Sequence, residues 1–134
     1  MLLQINFKSG TPVYLQLVDQ VKAAAAAGTV RSGEALPAIR PLAEELRLNR
    51  NTIAKAYTEL ESQGVIENIP GKGCFIRPNH SPLKKEVRRR LLIEEIDQVV
   101  VKAHHLQVDS AELLDLVRQR SLAMEEKQRA NRES

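Results

Sequence analysis

Between Ile39 and Leu60 the apolar residues recur at helical spacing in two short runs. Ile39, Leu42, Ala43 and Leu46 form the first, and Ile53, Ala56, Tyr57 and Leu60 the second. The polar corner Asn49-Arg50-Asn51-Thr52 separates them, with Leu48 in the turn as an apolar plug. Gly64 then offers the left-handed stop that a helix C-terminus favours. Beyond it the pattern changes to two short apolar segments, Val65 to Ile69 and Cys74 to Ile76, around Pro70-Gly71-Lys72-Gly73. Two helices, a tight polar turn between them and a following hairpin predict a winged helix-turn-helix.

Upstream, Tyr14, Leu17, Val18, Val21, Ala24 and Ala25 share one helical face, with Thr11 as its expected cap and Pro12 at the first position. The alanine run 23–27 continues that periodicity and Gly28 ends it. Leu3, Ile5 and Phe7 alternate with polar neighbours and predict a short N-terminal strand. The polar stretch from Thr29 to Ala35 reads as a loop, and Pro37 sets up entry to the next helix. Asn79 to Pro82 reads as a linker. A helix is expected from Leu83 to about His105, with Leu92, Ile96, Val99, Ala103 and Leu106 on one stripe that Ile93 and Val100 widen. Asp109 is placed to cap a last helix. Glu112 closes a capping box there, and Val108 and Leu113 form a hydrophobic staple. Leu113, Leu116, Val117, Arg120 and Met124 define its inner face, and the charged tail beyond Glu125 is expected to fray. The fold class is therefore mainly α with a small β-wing. A DNA-binding-type domain spans 1–78, and a two-helix segment spans 79–134.

Composition narrows the chemistry. In 134 residues, 43% are apolar but only 3% aromatic, with no Trp, so platforms for stacking single-stranded bases are nearly absent. A net charge of +3 suits an anionic partner without identifying one. The single cysteine, Cys74, excludes an internal disulfide and a multi-cysteine zinc site, and its apolar setting predicts a buried, inert thiol. No apolar run approaches a membrane span and the N-terminus does not read as a signal peptide, so a cytoplasmic protein is expected.

The polar corner carries the candidate chemistry. With Asn49 as N-cap, Arg50, Asn51 and Thr52 occupy the first helical turn, where free N–H groups and the helix dipole attract phosphate. Arg50 suits phosphate or guanine, Asn51 suits adenine, and Thr52 a phosphate or a thymine methyl. Lys55 follows one turn later. Taken alone, such a corner is more often an ordinary capped helix. The hairpin shifts the balance: Gly71 and Gly73 permit close backbone approach, and Lys72 sits at the tip. The spacing is not that of a nucleotide-binding P-loop.

From Pro12-Val13-Tyr14-Leu15-Gln16-Leu17 to Gly71-Lys72-Gly73-Cys74-Phe75-Ile76 the chain resembles the GntR family of bacterial transcription regulators. The family patterns appear as Gly33-Glu-Ala-Leu-Pro-Ala-Ile-Arg40-Pro-Leu-Ala43, then Leu48-Asn-Arg-Asn-Thr-Ile53, then Leu60-Glu-Ser-Gln-Gly64. By this resemblance Arg40, Asn49, Arg50, Asn51 and Thr52 occupy DNA-contacting positions, and Gly71 to Gly73 form the wing. Ala38 stands where a capping Ser is usual, and Asn49 replaces a usual Ser or Thr.

Two C-terminal helices cannot bury so wide an apolar surface between themselves, so a partner chain is the natural cover. Folding back onto the first domain is the alternative. A two-helix C-terminal part is also what marks the YtrA-like subgroup, and this resemblance implies a homodimer joined through Leu92, Ile96, Val99, Val100, Ala103, Leu113, Leu116 and Val117. No metal, cofactor or catalytic constellation is expected: His104 and His105 diverge by about 100° on a helix, and Glu44-Glu45 and Glu94-Glu95 are ordinary solvent-facing pairs. Arg88-Arg89-Arg90 is either a second phosphate patch or, as charge runs more often are, a solvated face. The expectation is a dimeric repressor on double-stranded, roughly palindromic DNA. Two rivals stand beside it: a winged-helix module for protein contact, and a regulator gated by a small ligand at the dimer seam.

Overall fold

The computed structural model describes residues 2–78 and 85–133. Its elements run α1 (Val13–Ala27), α2 (Ile39–Leu46), α3 (Arg50–Ser62), β1 (Ile66–Ile69), β2 (Gly73–Ile76), α4 (Lys85–His105) and α5 (Ser110–Glu133). Within the described residues, 2–78 together with 128–133 form one compact unit, and 85–127 form another.

The first unit is built on α3. Ile53, Ala56, Tyr57 and Leu60 lie on one face of it and are buried against Leu17, Val18 and Val21 of α1, Leu42 and Ala43 of α2, and Ile66 and Ile76 of the hairpin. Ile53, Leu60 and Ile66 are fully buried, so trimming any of them would open a cavity, at a cost of about 2–5 kcal/mol for truncation to Ala. Tyr57 Oη donates to Pro37 O at 2.7 Å, tying the entry of α2 to the middle of α3. Burial, and secondarily nearby Cys74, pushes that phenol well above its ordinary range, so it stays a donor. Cys74 is half-buried rather than buried, and burial followed by Glu61 raises its thiol too, which keeps it protonated.

β1 and β2 pair antiparallel with Ile66 opposite Ile76 and Ile69 opposite Gly73. The stretch before α2 is the expected loop, and its backbone also bonds to β2 around the isolated bridge of Ala35 with Phe75. Gly33 N–H donates to Ile76 O, Ile76 N–H to Glu34 O and Leu36 N–H to Cys74 O, at 2.8–2.9 Å. Its polar side chains concealed this role, because the pairing uses backbone groups alone.

The N-terminal segment also departs from expectation. Residues 2–6 form no strand. Gln20 exchanges both amide hydrogen bonds with the backbone of Gln4, and Gln16 does so with Asn6. Glutamines one helical turn apart match alternate residues of an extended chain, so α1 supplies side-chain amides where a strand would supply peptides. Helix α1 starts one residue later than its pattern suggested. Pro12 is the N-cap and Thr11 makes no side-chain cap.

The tail expected to fray is helical through Glu133. The last carbonyls of α1 explain its order. Ala24 O accepts from Thr29 N–H and Ala25 O from Gly28 N–H, while Gln128 Nε2 donates to Ala26 O at 2.6 Å and Asn131 Nδ2 to Ala27 O. Arg31 Nη2 donates to Asn131 O at 3.0 Å, and a Cβ at Gly28 would lie 3.2 Å from Asn131 Cβ. The C-terminal turns thus finish capping α1, whose carbonyls would otherwise lack intrahelical partners.

In the second unit, Gln107 (φ 61) reverses the chain between α4 and α5, and Asp109 Oδ1 accepts from Glu112 N–H at 2.9 Å as the capping pattern anticipated. Residues 79–84, which hold the expected linker and the expected first residues of α4, lie outside the described residues.

Replacing both Gln128 and Asn131 by Ala should destabilise the first unit by about 1–3 kcal/mol, because two carbonyls at the end of α1 lose their donors. Thermal unfolding of the double variant beside the parent measures this; an unchanged midpoint contradicts a capping role.

Candidate nucleic-acid interface

The corner between α2 and α3 positions the candidate residues. Helix α2 starts at Ala38 in an extended conformation with no side-chain cap, as the missing hydroxyl implied. It ends at Arg47, whose φ of 57 lets Leu48 N–H reach back to Ala43 O at 2.9 Å and sends Leu48 against the core. Asn49 then caps α3, its Oδ1 accepting from Asn51 N–H at 2.7 Å.

That cap has a consequence for anion binding. Asn51 N–H is taken by Asn49 Oδ1 and Thr52 N–H lies 3.0 Å from Asn49 O. Fewer first-turn donors are therefore free than the sequence implied, and attraction of phosphate rests on side chains and the helix dipole. Asn49 itself is committed to the cap, which leaves only its NH2 group to offer outward.

Arg50 and Asn51 are exposed and Thr52 half-buried. Arg40, in the first turn of α2, lines the same opening. Arg40, Ala43, Glu44, Arg47, Leu48 and Arg50 line a cleft of about 380 Å³, which gathers three arginines and one glutamate. Among the described residues no ion pair joins Glu44 to any of them. Lys55 is also exposed, but its ammonium lies 4.1 Å from the Tyr14 ring centroid, in a cation–π contact that holds it toward α1 and away from the cleft.

At 100° per residue the exposed face of α3 contains Asn51, Ala54, Lys55 and Thr58. Ala54, Thr58 and the cleft residue Arg47 were not among the sequence-predicted contacts. The helical period that located the core face also locates Ala54 and Thr58, on the side away from it. Arg47 gave no such signal, since its place depends on the turn.

The wing stands apart from the cleft in sequence. Lys72 N–H donates to Ile69 O at 2.9 Å across Pro70-Gly71, and Gly71 has φ 78, the features of a type II turn. Gly71, Lys72 and Gly73 are exposed, and nothing lies within 4 Å of a Cβ built on either glycine. The tip thus has open space beside both glycines.

Cleft, outward helix face and wing together form an arrangement that can grip a polyanion and read an edge of it. Residues 13–76 match the model of the bacterial regulatory proteins of the gntR family. The chain is 33% identical, over 88% of its length and 91% of the relative's, to the HTH-type transcriptional repressor YtrA of Bacillus subtilis (strain 168). The chain belongs to the gntR family. It is accordingly a DNA-binding transcriptional regulator. A solved structure described as a transcriptional antiterminator from Listeria monocytogenes EGD-e superimposes with a TM-score of 0.80 at 31% identity, covering 92% of each chain. The DNA-binding domain of AraR in complex with operator ORX1 matches 55% of this chain and 95% of its own, with a TM-score of 0.50 at 25% identity. This gntR-family chain therefore shares its fold both over nearly its whole length and, for the winged part, with a domain seen on an operator.

Arg50→Ala should weaken binding to a cognate duplex by ~1–3 kcal/mol if Arg50 reads a guanine, whereas Lys72→Ala should weaken cognate and random duplexes alike. Anisotropy titrations on both duplexes separate the two; equal losses for both variants would remove the base-reading role of Arg50.

Proposed function

We propose that this regulator is a repressor that binds a roughly palindromic operator as a homodimer, with helix α3 in a major groove and the wing at the adjacent minor groove. Arg40, Arg50, Asn51 and Thr52 make the groove contacts, Gly71 to Gly73 approach the backbone, and Lys55 contributes charge at the edge of that face. The name of the Bacillus subtilis relative supports repression, and the AraR–operator complex supports double-stranded DNA as the partner. The same features favour a non-enzymatic role in the cytoplasm. No helix of the described residues is long and apolar enough to cross a membrane.

One observation carries the dimer: the second unit leaves an apolar stripe uncovered. Leu92 is 61% exposed, and Ile96, Val99 and Val100 are each close to half exposed along one side of α4, with Leu116 and Val117 exposed on α5. Ile93, which widens the expected stripe, is exposed too, and Leu91, Val101, Leu114 and Leu122 add exposed apolar area that the sequence pattern had not assigned to the interface. So much apolar surface is far more than scattered single residues and calls for a partner. Ala103 belongs to a different class from the expectation. It is already buried within its own chain, one turn before α4 reverses into α5, and has little surface left to give. Leu113 is likewise half-buried.

A second copy is the partner that fits, because a two-fold axis presents the same stripe from both sides and also pairs two recognition helices for two half-sites. Half-sites then lie about one helical turn apart. The face of α3 that meets DNA carries Asn51, Lys55 and Thr58, which suits a duplex better than a protein surface.

The solution mass should be twice the 15.0 kDa of one chain. Ile96→Glu with Val100→Glu should convert it to a single chain by light scattering and weaken binding to the duplex upstream of its gene by roughly 100-fold or more, through lost avidity. A parent that is itself monomeric, or a double variant that stays dimeric, contradicts this assembly.

A further inference from the structure

Four helix ends in this chain reverse through one backbone device. The first or second residue past the helix takes a left-handed conformation, and the next N–H donates to the carbonyl five residues back. Gly28 (φ 77) does this for α1 and Gly64 (φ 75) for α3. Arg47 (φ 57) does it for α2 and Gln107 (φ 61) for α4. A Cβ is disfavoured in this conformation, which is why glycine is the usual occupant. A glycine at 47 would still let Leu48 N–H reach Ala43 O and still send Leu48 inward. The Arg47 side chain is therefore unnecessary for the turn and adds strain to it.

What the side chain adds lies in the cleft. Arg47 is exposed, forms no ion pair among the described residues, and lines the same cleft of about 380 Å³ as Arg40 and Arg50. Glu44 is the one acidic wall. Three arginines around one opening, with a single glutamate, leave an excess of positive charge that the two non-bridging oxygens of a phosphodiester can satisfy in bidentate fashion.

We propose that Arg47 is a DNA-positioning residue, whose guanidinium holds a backbone phosphate in the cleft between Arg40 and Arg50, and that the strained corner is kept for this contact. It carries no base information; it sets the height at which Arg50 and Asn51 meet the groove. This rests on the DNA-binding role of the corner.

The test compares variants by thermal unfolding and by anisotropy on two probes, the intergenic duplex upstream of the gene and a random duplex of equal length. Arg47→Gly relieves the strain and removes the charge. It should raise the melting temperature by roughly 2–5 °C. It should also weaken both duplexes roughly 3- to 10-fold and make the salt dependence shallower by about 0.9. Arg47→Gln should reproduce the affinity and slope losses without the thermal gain. Gln107→Gly, at the same device in the other unit, should gain stability and leave DNA affinity alone. If Arg47→Gly keeps the parent affinity and slope while Arg50→Ala loses binding, Arg47 is a bystander and the proposal fails with the DNA-binding role intact. If Arg50→Ala also binds like the parent, the role of the corner fails with it. A lower melting temperature for Arg47→Gly would equally overturn the claim that strain is retained for function.

Discussion

Within five residues the corner between α2 and α3 has to turn the chain, plug the core and leave an outward face. Leu48 goes inward against the core, while Arg47, Asn49, Arg50 and Asn51 stay in solvent. Only a left-handed residue followed by an extended N-cap allows this, because it closes α2 with the Leu48-to-Ala43 hydrogen bond and opens α3 with the Asn49 cap. The apolar contacts of Ile53, Leu60 and Ile66 then hold α3 rigidly beneath that corner. The candidate recognition side chains are presented on a helix whose other face is committed to packing, so their positions are inherited from the core rather than from a loop.

The energetic division follows from this. Burial and hydrogen bonding fix the frame, whereas the guanidinium groups and Lys72 are solvated and contribute little to stability until a polyanion arrives. The helix dipole adds a partial positive charge at the start of α3, on the order of +0.5, close to Arg50. Because two of the first-turn N–H groups are already used by Asn49, the arginines rather than the backbone dominate the attraction. Affinity should therefore depend strongly on salt, and selectivity on the few groups that reach base edges.

Much of this architecture was legible in residue spacing. The buried faces of α1, α2 and α3 repeat every three or four residues and emerged as expected, as did Asn49, Asp109 and the wing turn. The failures share a physical origin. The strand expected at Leu3 to Phe7 depends on which partner the backbone finds, here the side chains of Gln16 and Gln20, whereas Thr29 to Ala35 is the expected loop, bridged to β2 at Ala35. Alternation and polarity say nothing of that. The tail beyond Glu125 looked like solvated charge, but Gln128 and Asn131 use short polar side chains to cap a helix about a hundred residues earlier. Lys55 was placed with the cleft by its position on α3, yet the Tyr14 ring draws it aside. Arg47 escaped notice because a turn residue has no period.

The central claim is that the outward start of α3 and the wing tip meet the duplex. Backbone amide shifts of the labelled protein, followed while the upstream intergenic duplex is added, test it most directly. The largest shifts should fall at Arg50 to Thr52 and at Lys72, with residues 92–100 nearly unmoved. Shifts concentrated in α4 or α1, with Arg50 to Thr52 unchanged at saturation, would contradict it.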